Sequence, residues 1–446
     1  MLPRSVLLRE NSRMNPRELL IDSFRAALSA ADPLEIVPAH LPPPPKGKTL
    51  VVGAGKAAAA MARAVETHWP AGAPLEGLVI TRYAHGYEVN DADATLHPRI
   101  RVLEAGHPVP DEAGETAAKE ILSLAGTLTA DDLLLVLVSG GGSSLLSLPV
   151  SGISMSDLKA VTAALLACGA PIQEMNIVRK HLSAIQGGRL AAATRARVLA
   201  LIISDVTGDD PSAIGSGPTA PDSSTYQDAL DILKTYRIVS PLSVIRHLSN
   251  GARGDTAETL KPGDALFSRV ENRVIATPYA SLARAAAFFQ QHGITPMILG
   301  DSVTGEAREV AKVHAALARQ IQQHHHPLKP PVAIISGGEC TVTLRNTEGG
   351  RGGRCSEFLL SLAIDLNADE HMFAIACDTD GIDGSEANAG AYIEPPSLAR
   401  ALALGVTAKA QLAMNDAFGF FQPLDDLIVT GPTRTNVNDY RAILIL

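Results

Sequence analysis

The run Leu133-Leu134-Leu135-Val136-Leu137-Val138 is apolar at every position and stops abruptly at Ser139-Gly140-Gly141-Gly142-Ser143-Ser144. Such a strand has no side left for water. It must lie inside a sheet covered on both faces, the situation of parallel strands joined by helices. The same grammar recurs. An apolar stretch at 48–52 leads into Gly53-Ala54-Gly55-Lys56, and one at 197–204 leads into a polar loop from Asp205 to Asp222. Another at 332–335 enters Ser336-Gly337-Gly338-Glu339, and one at 372–377 enters Asp378-Thr379-Asp380-Gly381. Segments of helical period lie between them, near 16–30, 111–124, 156–167, 172–185, 278–292, 304–322 and 356–366. Strands and helices in alternation specify an α/β fold.

The 446 residues suffice for two or three domains. The pattern predicts a larger Rossmann-like parallel sheet with helices on both faces and a smaller α/β domain, with the active site in the cleft between them. The expected segments are a flexible extension at 1–14, a first domain at 15–240, a connecting α/β segment at 241–330 and a second domain at 331–446. A Gly-, Asp- and Thr-rich stretch at 248–268 marks the change.

Composition excludes several classes. Hydrophobic residues make up 46% and charged residues 19%, so the chain is neither disordered nor fibrous. A net charge of -9 with 4% aromatics lacks the basic, stacking surface of a nucleic-acid binder. Cys168, Cys340, Cys355 and Cys377 are scattered with no C-x-x-C pair, which fits a reducing, cytoplasmic setting. No apolar run reaches the ~18 residues of a membrane span.

Five loops carry candidate chemistry. Gly53-Ala54-Gly55-Lys56-Ala57-Ala58 joins a strand to a helix, where backbone amides and the helix dipole favour an anion. It satisfies the relaxed dinucleotide pattern G-x-G-x-x-A, yet the next strand ends at Arg82 and not at an acidic residue. A tight turn with a solvated lysine explains the same residues. Ser139 to Ser144, with three glycines and flanking hydroxyls, reads as a cradle for phosphate. Ser204-Asp205-Val206-Thr207-Gly208-Asp209-Asp210 follows a strand and suits Mg²⁺, for which Asp205 and Asp210 are the candidates. A solvated Asp-Gly turn is the alternative for Asp209 and Asp210. Gly217 and Thr219 belong to a further donor-rich loop.

Gly349-Gly350-Arg351-Gly352-Gly353-Arg354 brings two guanidinium groups to a helix entrance, where carboxylate or phosphate fits. Cys377-Asp378-Thr379-Asp380-Gly381-Ile382-Asp383-Gly384 offers Asp378 and Asp380 as a second metal or nucleotide contact, or else a turn held by side-chain-to-backbone bonds. His107, in Gly106-His107-Pro108-Val109-Pro110, and Glu339 complete the cleft candidates as substrate contacts, with Arg351.

Taken in order, these blocks resemble the glycerate 2-kinase family, whose members join a glycerate kinase N-terminal domain to a MOFRL C-terminal domain. Val52-Gly53-Ala54-Gly55-Lys56-Ala57, Gly106-His107-Pro108-Val109-Pro110-Asp111 and Lys180-His181-Leu182-Ser183-Ala184-Ile185-Gln186-Gly187-Gly188-Arg189-Leu190 carry the likeness. So do Ser204-Asp205-Val206, Gly215-Ser216-Gly217-Pro218-Thr219, Thr379-Asp380-Gly381 and Gly431-Pro432-Thr433 with Asn436-Val437-Asn438-Asp439. The resemblance implies ATP-dependent phosphorylation of D-glycerate at its 2-hydroxyl, with ATP and Mg²⁺ as cofactors. It implies Lys56 as the phosphate-facing cation, Asp205 as a catalytic or metal-binding carboxylate, and Arg354 as a charge-stabilising contact. ATP phosphates are expected over Gly53, Gly55, Ser139, Gly140, Gly141, Gly142, Ser143 and Ser144, with Gly217 and Thr219 nearby. An NAD(P)H-dependent hydroxypyruvate reductase is the rival enzyme, and whether the chain pairs as a homodimer is left open.

Overall fold

The structure, a computed structural model, describes residues 15–87, 98–344, 350–367 and 369–446. The expected extension at 1–14 and Gly349 lie outside the described residues. Strands β1 (Thr49–Ala54), β2 (Leu75–Arg82), β3 (Ile100–Ala105), β4 (Leu133–Val138), β5 (Arg197–Ile203) and β6 (Val270–Ala276) form one sheet in the order β3-β2-β1-β4-β5-β6. All its neighbours run parallel. This is the doubly wound order 3-2-1-4-5-6 of dinucleotide-binding sheets.

The all-apolar β4 sits in the middle, as its composition demands. Leu134, Val136 and Val138 enter the core under the helix Glu112–Gly126, while Leu133, Leu135 and Leu137 pack with the helix Ala58–His68 on the other face. All six are buried, and full burial of each contributes roughly 1.5–3 kcal/mol. Between β1 and β4 the strand order reverses. Loops leaving the carboxyl ends of these two strands therefore part to opposite faces and leave a crevice.

The second sheet is mixed. Strands β7 (Thr295–Gly300), β9 (Val332–Gly338), β11 (Met372–Asp378), β12 (Gly390–Ile393), β13 (Leu427–Ile428) and β14 (Asp439–Ile445) run in the order β13-β12-β11-β14-β9-β7. Here β14 is inserted antiparallel to both β9 and β11. Two short strands, β8 (Gly305–Glu306) and β10 (Cys340–Thr341), pair separately.

The chain crosses between the two sheets in ways that correct the expected segments at 15–240 and 241–330. Helix Pro16–Ser29 does not cover the first sheet. Its Leu19, Leu20, Phe24 and Ala27 join Leu282, Phe289, Tyr392 and Tyr440 in a core of the second. Strand β6, inside the expected connector, completes the first sheet, and the helix Pro278–Gln291 immediately after it belongs to the second. An apolar helical stripe shows that a helix is covered, not which sheet covers it. The stretch at 248–268 is not a clean boundary either, because the helix Leu242–Ala252 runs into it. That helix packs with Tyr226–Thr235 and Ile172–Leu182 into a small apolar cluster at one side of the cleft.

Candidate active site

Lys56 leaves the carboxyl end of β1 at the point where the strand order reverses. The turn that presents it is not open to a phosphate. The Lys56 amide donates to Gly140 O at 2.9 Å, the Gly55 amide to Ile80 O at 3.1 Å, and the Ala57 amide to the Ser139 hydroxyl at 3.0 Å. Gly53 and Gly55 serve a different need from the one expected. A Cβ on Gly53 would lie 2.0 Å from Leu137 O, and one on Gly55 would lie 2.1 Å from Ser139 Oγ. These glycines let β1 and its turn press against β4. The Ser139 hydroxyl takes an amide that a pyrophosphate on this turn would need.

The loop after β4 is the open one. The amides of Gly140, Gly141 and Ser143 have no hydrogen-bond partner among the described residues. Gly141 adopts φ +82°, a left-handed conformation that turns successive amides toward one side. The loop is also tightly walled. A Cβ on Gly140 would come within 2.2 Å of Asp205 Oδ2, and one on Gly141 within 2.9 Å of the His107 ring and 3.5 Å of Lys56 Cγ. The amides, Lys56, His107 and Asp205 thus share one small space. Of the two serines, Ser144 donates to Gly141 O at 3.1 Å and Ser143 accepts from Ser216 at 2.8 Å.

The second sheet supplies the opposite wall. The Lys56 ammonium lies 2.5 Å from Asp380 Oδ2, and Arg82 stands 3.9 Å from the same oxygen. Arg354 donates to Asp439 and to Asp378, both at 2.7 Å, and lies 3.3 Å from Glu339. Asn436 donates to Asp205 Oδ2 at 3.2 Å and so links the two walls. At the rim, Arg434 donates to Gly86 O at 3.1 Å.

Burial and charge set the protonation states. Burial works against the charge on Lys56, but Asp380, Asp378 and Asp205 outweigh it and hold the ammonium above its ordinary range. Burial also opposes ionisation of Asp380, which Lys56 overcomes, so this carboxyl is lowered. Burial drives Asp378 up. Asp205 is pushed up to about 6, mainly by burial, against the pull of Lys56. Burial takes His107 down to about 3 and His85 down to about 4, helped by nearby cations. Both rings are neutral near pH 7, and His85 was not foreseen as part of the cleft.

Other expected residues serve the scaffold. Thr219 is buried and donates to Asn272 at 2.6 Å, which ties its loop to β6. Gly217, at φ +56°, approaches the Ser212 backbone so closely that a Cβ would meet it at 2.9 Å. Arg351 lies over the Phe418 ring with Asp416 at 3.5 Å, turned to its own domain and not to the cleft residues. The helix entrance at Arg354 is filled by Asp383, which accepts from the Cys355 and Ser356 amides at 2.9 and 2.8 Å.

The expected magnesium set does not assemble. Asp210 is occupied by the Ser212 amide and hydroxyl at 2.8 and 2.9 Å, a side-chain turn. Asp378 is taken by Arg354 and Asp380 by Lys56. Among the described residues no three His, Cys, Asp or Glu side chains converge as a metal site. The donor set therefore does not fit a cation held by the protein alone. Asp205 is a cleft carboxylate with no cationic side chain in contact among the described residues. What the sequence reasoning missed is that most of these acids are partners of the cations.

Known proteins resemble this chain in sequence and in fold. Residues 19–249 match the model of a domain of unknown function, DUF4147, and residues 332–439 match the MOFRL family. An Agrobacterium vitis protein bearing a provisional hydroxypyruvate reductase name is 48% identical over 97% of this chain and 95% of its own. A glycerate 2-kinase of Pyrococcus horikoshii is 38% identical over 88% of this chain and 86% of its own. The crystal structure of a Thermotoga maritima glycerate kinase superposes with a TM-score of 0.83 at 35% identity, covering 96% of this chain and 99% of that one. No helix among the described residues is long and apolar enough to cross a membrane. With its DUF4147 unit, its MOFRL unit and a cleft shared by both sheets, the chain belongs to the glycerate 2-kinase family.

Proposed function

We propose that the chain is a glycerate kinase that transfers the γ-phosphoryl group of ATP to the 2-hydroxyl of D-glycerate, giving 2-phosphoglycerate and ADP. The observation that carries this reading is the meeting of a buried ammonium with three unpartnered amides, those of Gly140, Gly141 and Ser143, beside Asp205. Phosphoryl transfer asks for positioning and charge neutralisation more than for covalent chemistry. The amides and Lys56 receive the phosphoryl oxygens. Asp205, with its carboxyl pushed up to about 6, is ionised at pH 7–8 and basic enough to take the proton of the attacking hydroxyl. Asp380 holds Lys56 from across the cleft, and Asp378 holds Arg354 within the second wall. Magnesium enters with the nucleotide, as part of the substrate.

The reductase reading needs a pyrophosphate on the turn after β1 and an acid after β2. That turn spends its amides on Ser139, Gly140 and Ile80, and β2 ends at Arg82. The test is direct. Incubation with MgATP and D-glycerate, read by phosphorus NMR, should give 2-phosphoglycerate. Formation of the 3-isomer alone, or NADPH oxidation with hydroxypyruvate and no phosphorylated product, would overturn the reading.

A further inference from the structure

Beyond His107, a groove continues from the loop at 139–144 between Pro108 and Pro110 on one side and the helix Ile172–Leu182 on the other. Arg179, in the last turn of that helix, lines it. The side chain is half-buried, yet it makes no hydrogen bond or ion pair with any described residue. The fully buried cations among the described residues are paired. Lys180, the next residue, meets Asp222 at 2.6 Å, and Arg441 meets Asp439 at 2.5 Å. A guanidinium withdrawn from water without an acceptor is costly, and arginine cannot escape the cost by losing its proton.

Two hydroxyls in the same groove are also unspent. Ser183 Oγ accepts from the Ile185 and Gln186 amides at 3.2 and 3.1 Å, which leaves its own proton free. Thr162, also buried in the lining, has no hydrogen-bond partner among the described residues. No acidic side chain lines the groove, and no aromatic ring that could stack a base. The one charged group of its described lining is the Arg179 donor, among neutral hydroxyls and the Gln186 amide.

We propose that Arg179, with the Ser183 and Thr162 hydroxyls, is the subsite that holds the carboxylate of the hydroxy-acid acceptor. The assignment rests on the kinase reading above and deepens it. Phosphoryl transfer to an acid brings two anions together, and each needs its own donors. Lys56 and the loop amides serve the phosphate. Arg354 is committed to Asp378 and Asp439, and Arg82 faces Asp380 at 3.9 Å. Arg179 is the cation that lines this groove, and it has no acceptor among the described residues; its planar fork matches a carboxylate in two parallel hydrogen bonds.

The experiment compares Arg179→Ala and Arg179→Lys with the wild type by steady-state kinetics, and by calorimetric binding of D-glycerate without nucleotide. Glycerol, which keeps the hydroxyls and lacks the carboxylate, serves as the neutral probe. The expected result for Arg179→Ala is a KM for D-glycerate raised by about tenfold or more, an unchanged KM for ATP, and a reduced preference for glycerate over glycerol. Arg179→Lys should restore part of the loss. A raised KM for ATP instead, or an unchanged glycerate-to-glycerol preference, would overturn the assignment. The binding arm separates the two claims. Loss of glycerate binding in Arg179→Ala supports the subsite even where the wild type fails to turn over. If Arg179→Ala does not fold, Thr162→Val carries the same expectation at a few-fold, and no change in its glycerate KM overturns the proposal.

Discussion

Asp205 should weaken the fold that carries it. An ordinary aspartate titrates near 3.8, and burial pushes Asp205 up to about 6. At ~1.36 kcal/mol per tenfold change in proton affinity, the difference corresponds to about 3 kcal/mol. The sign follows from linkage. A carboxyl raised in the folded state favours folding when protonated. That contribution is whole below about 3.8 and is lost as pH rises through about 6. Above pH 6 the ionised side chain therefore stands as a standing cost. Asp205→Asn removes the charge and keeps the shape. Its Oδ1 can still accept from Asn436, and Lys56 keeps Asp380. The variant should be more stable than wild type at pH 8 by about 1.5–3 kcal/mol, and the gap should shrink to about a third of its size by pH 4.5. Denaturant unfolding of both proteins at the two pH values measures this, and turnover measures the accompanying loss of activity. A variant less stable at pH 8, or a gap that grows on acidification, would refute the account of Asp205 as a charge held in a place that resists it.

Three further outcomes follow from the cleft. Lys56→Ala should lower kcat/KM for phosphorylation by about a hundredfold or more, since a buried cation aimed at developing phosphoryl charge is removed; a fall below about tenfold would exclude that role. The acid limb of the rate profile should lie near pH 6 and follow Asp205, because His107 at about 3 and His85 at about 4 stay neutral throughout the working range; an acid limb that persists unchanged in a residually active Asp205→Asn would reject this. Asp383→Ala should cost roughly 2 kcal/mol or more in thermal or denaturant unfolding, because it strips the N-terminus of the helix Arg354–Leu366 of its acceptor for two amides and the Ser356 hydroxyl.

Local patterns proved the legible part. The all-apolar β4 appears with the bounds its composition suggests, because a continuous apolar run answers only to burial. Lys56 and Asp205 lie in the cleft because both directly follow core strands, and strand ends are fixed by the sheet. What stayed hidden depends on contacts between distant residues. Nothing in Gly53-Ala54-Gly55-Lys56-Ala57 announces that Ser139 and Gly140, more than eighty positions on, will accept from the Ala57 and Lys56 amides at 3.0 and 2.9 Å. Asp378 and Asp380 resemble a cation loop in sequence, and only the fold brings Arg354 and Lys56 to neutralise them. Arg179 is inconspicuous in a run of basic residues until its neighbour Lys180 is seen to be paired and it is not.

The long reach of helix Pro16–Ser29 bears on how the protein is made. Its apolar stripe rests on Tyr440 of β14, and the Tyr440 hydroxyl donates to Ser23 at 2.7 Å. During synthesis from the N-terminus this helix leaves the ribosome ahead of the strand it rests on, Ser23 preceding Tyr440 by 417 residues. The first native cover for Leu20 and Phe24, from Leu282 and Phe289, comes only with the helix Pro278–Gln291, by which point all six strands of the parallel sheet have been made. A nascent chain of this design carries that stripe uncovered while the first sheet forms, and buries it only as the second sheet follows.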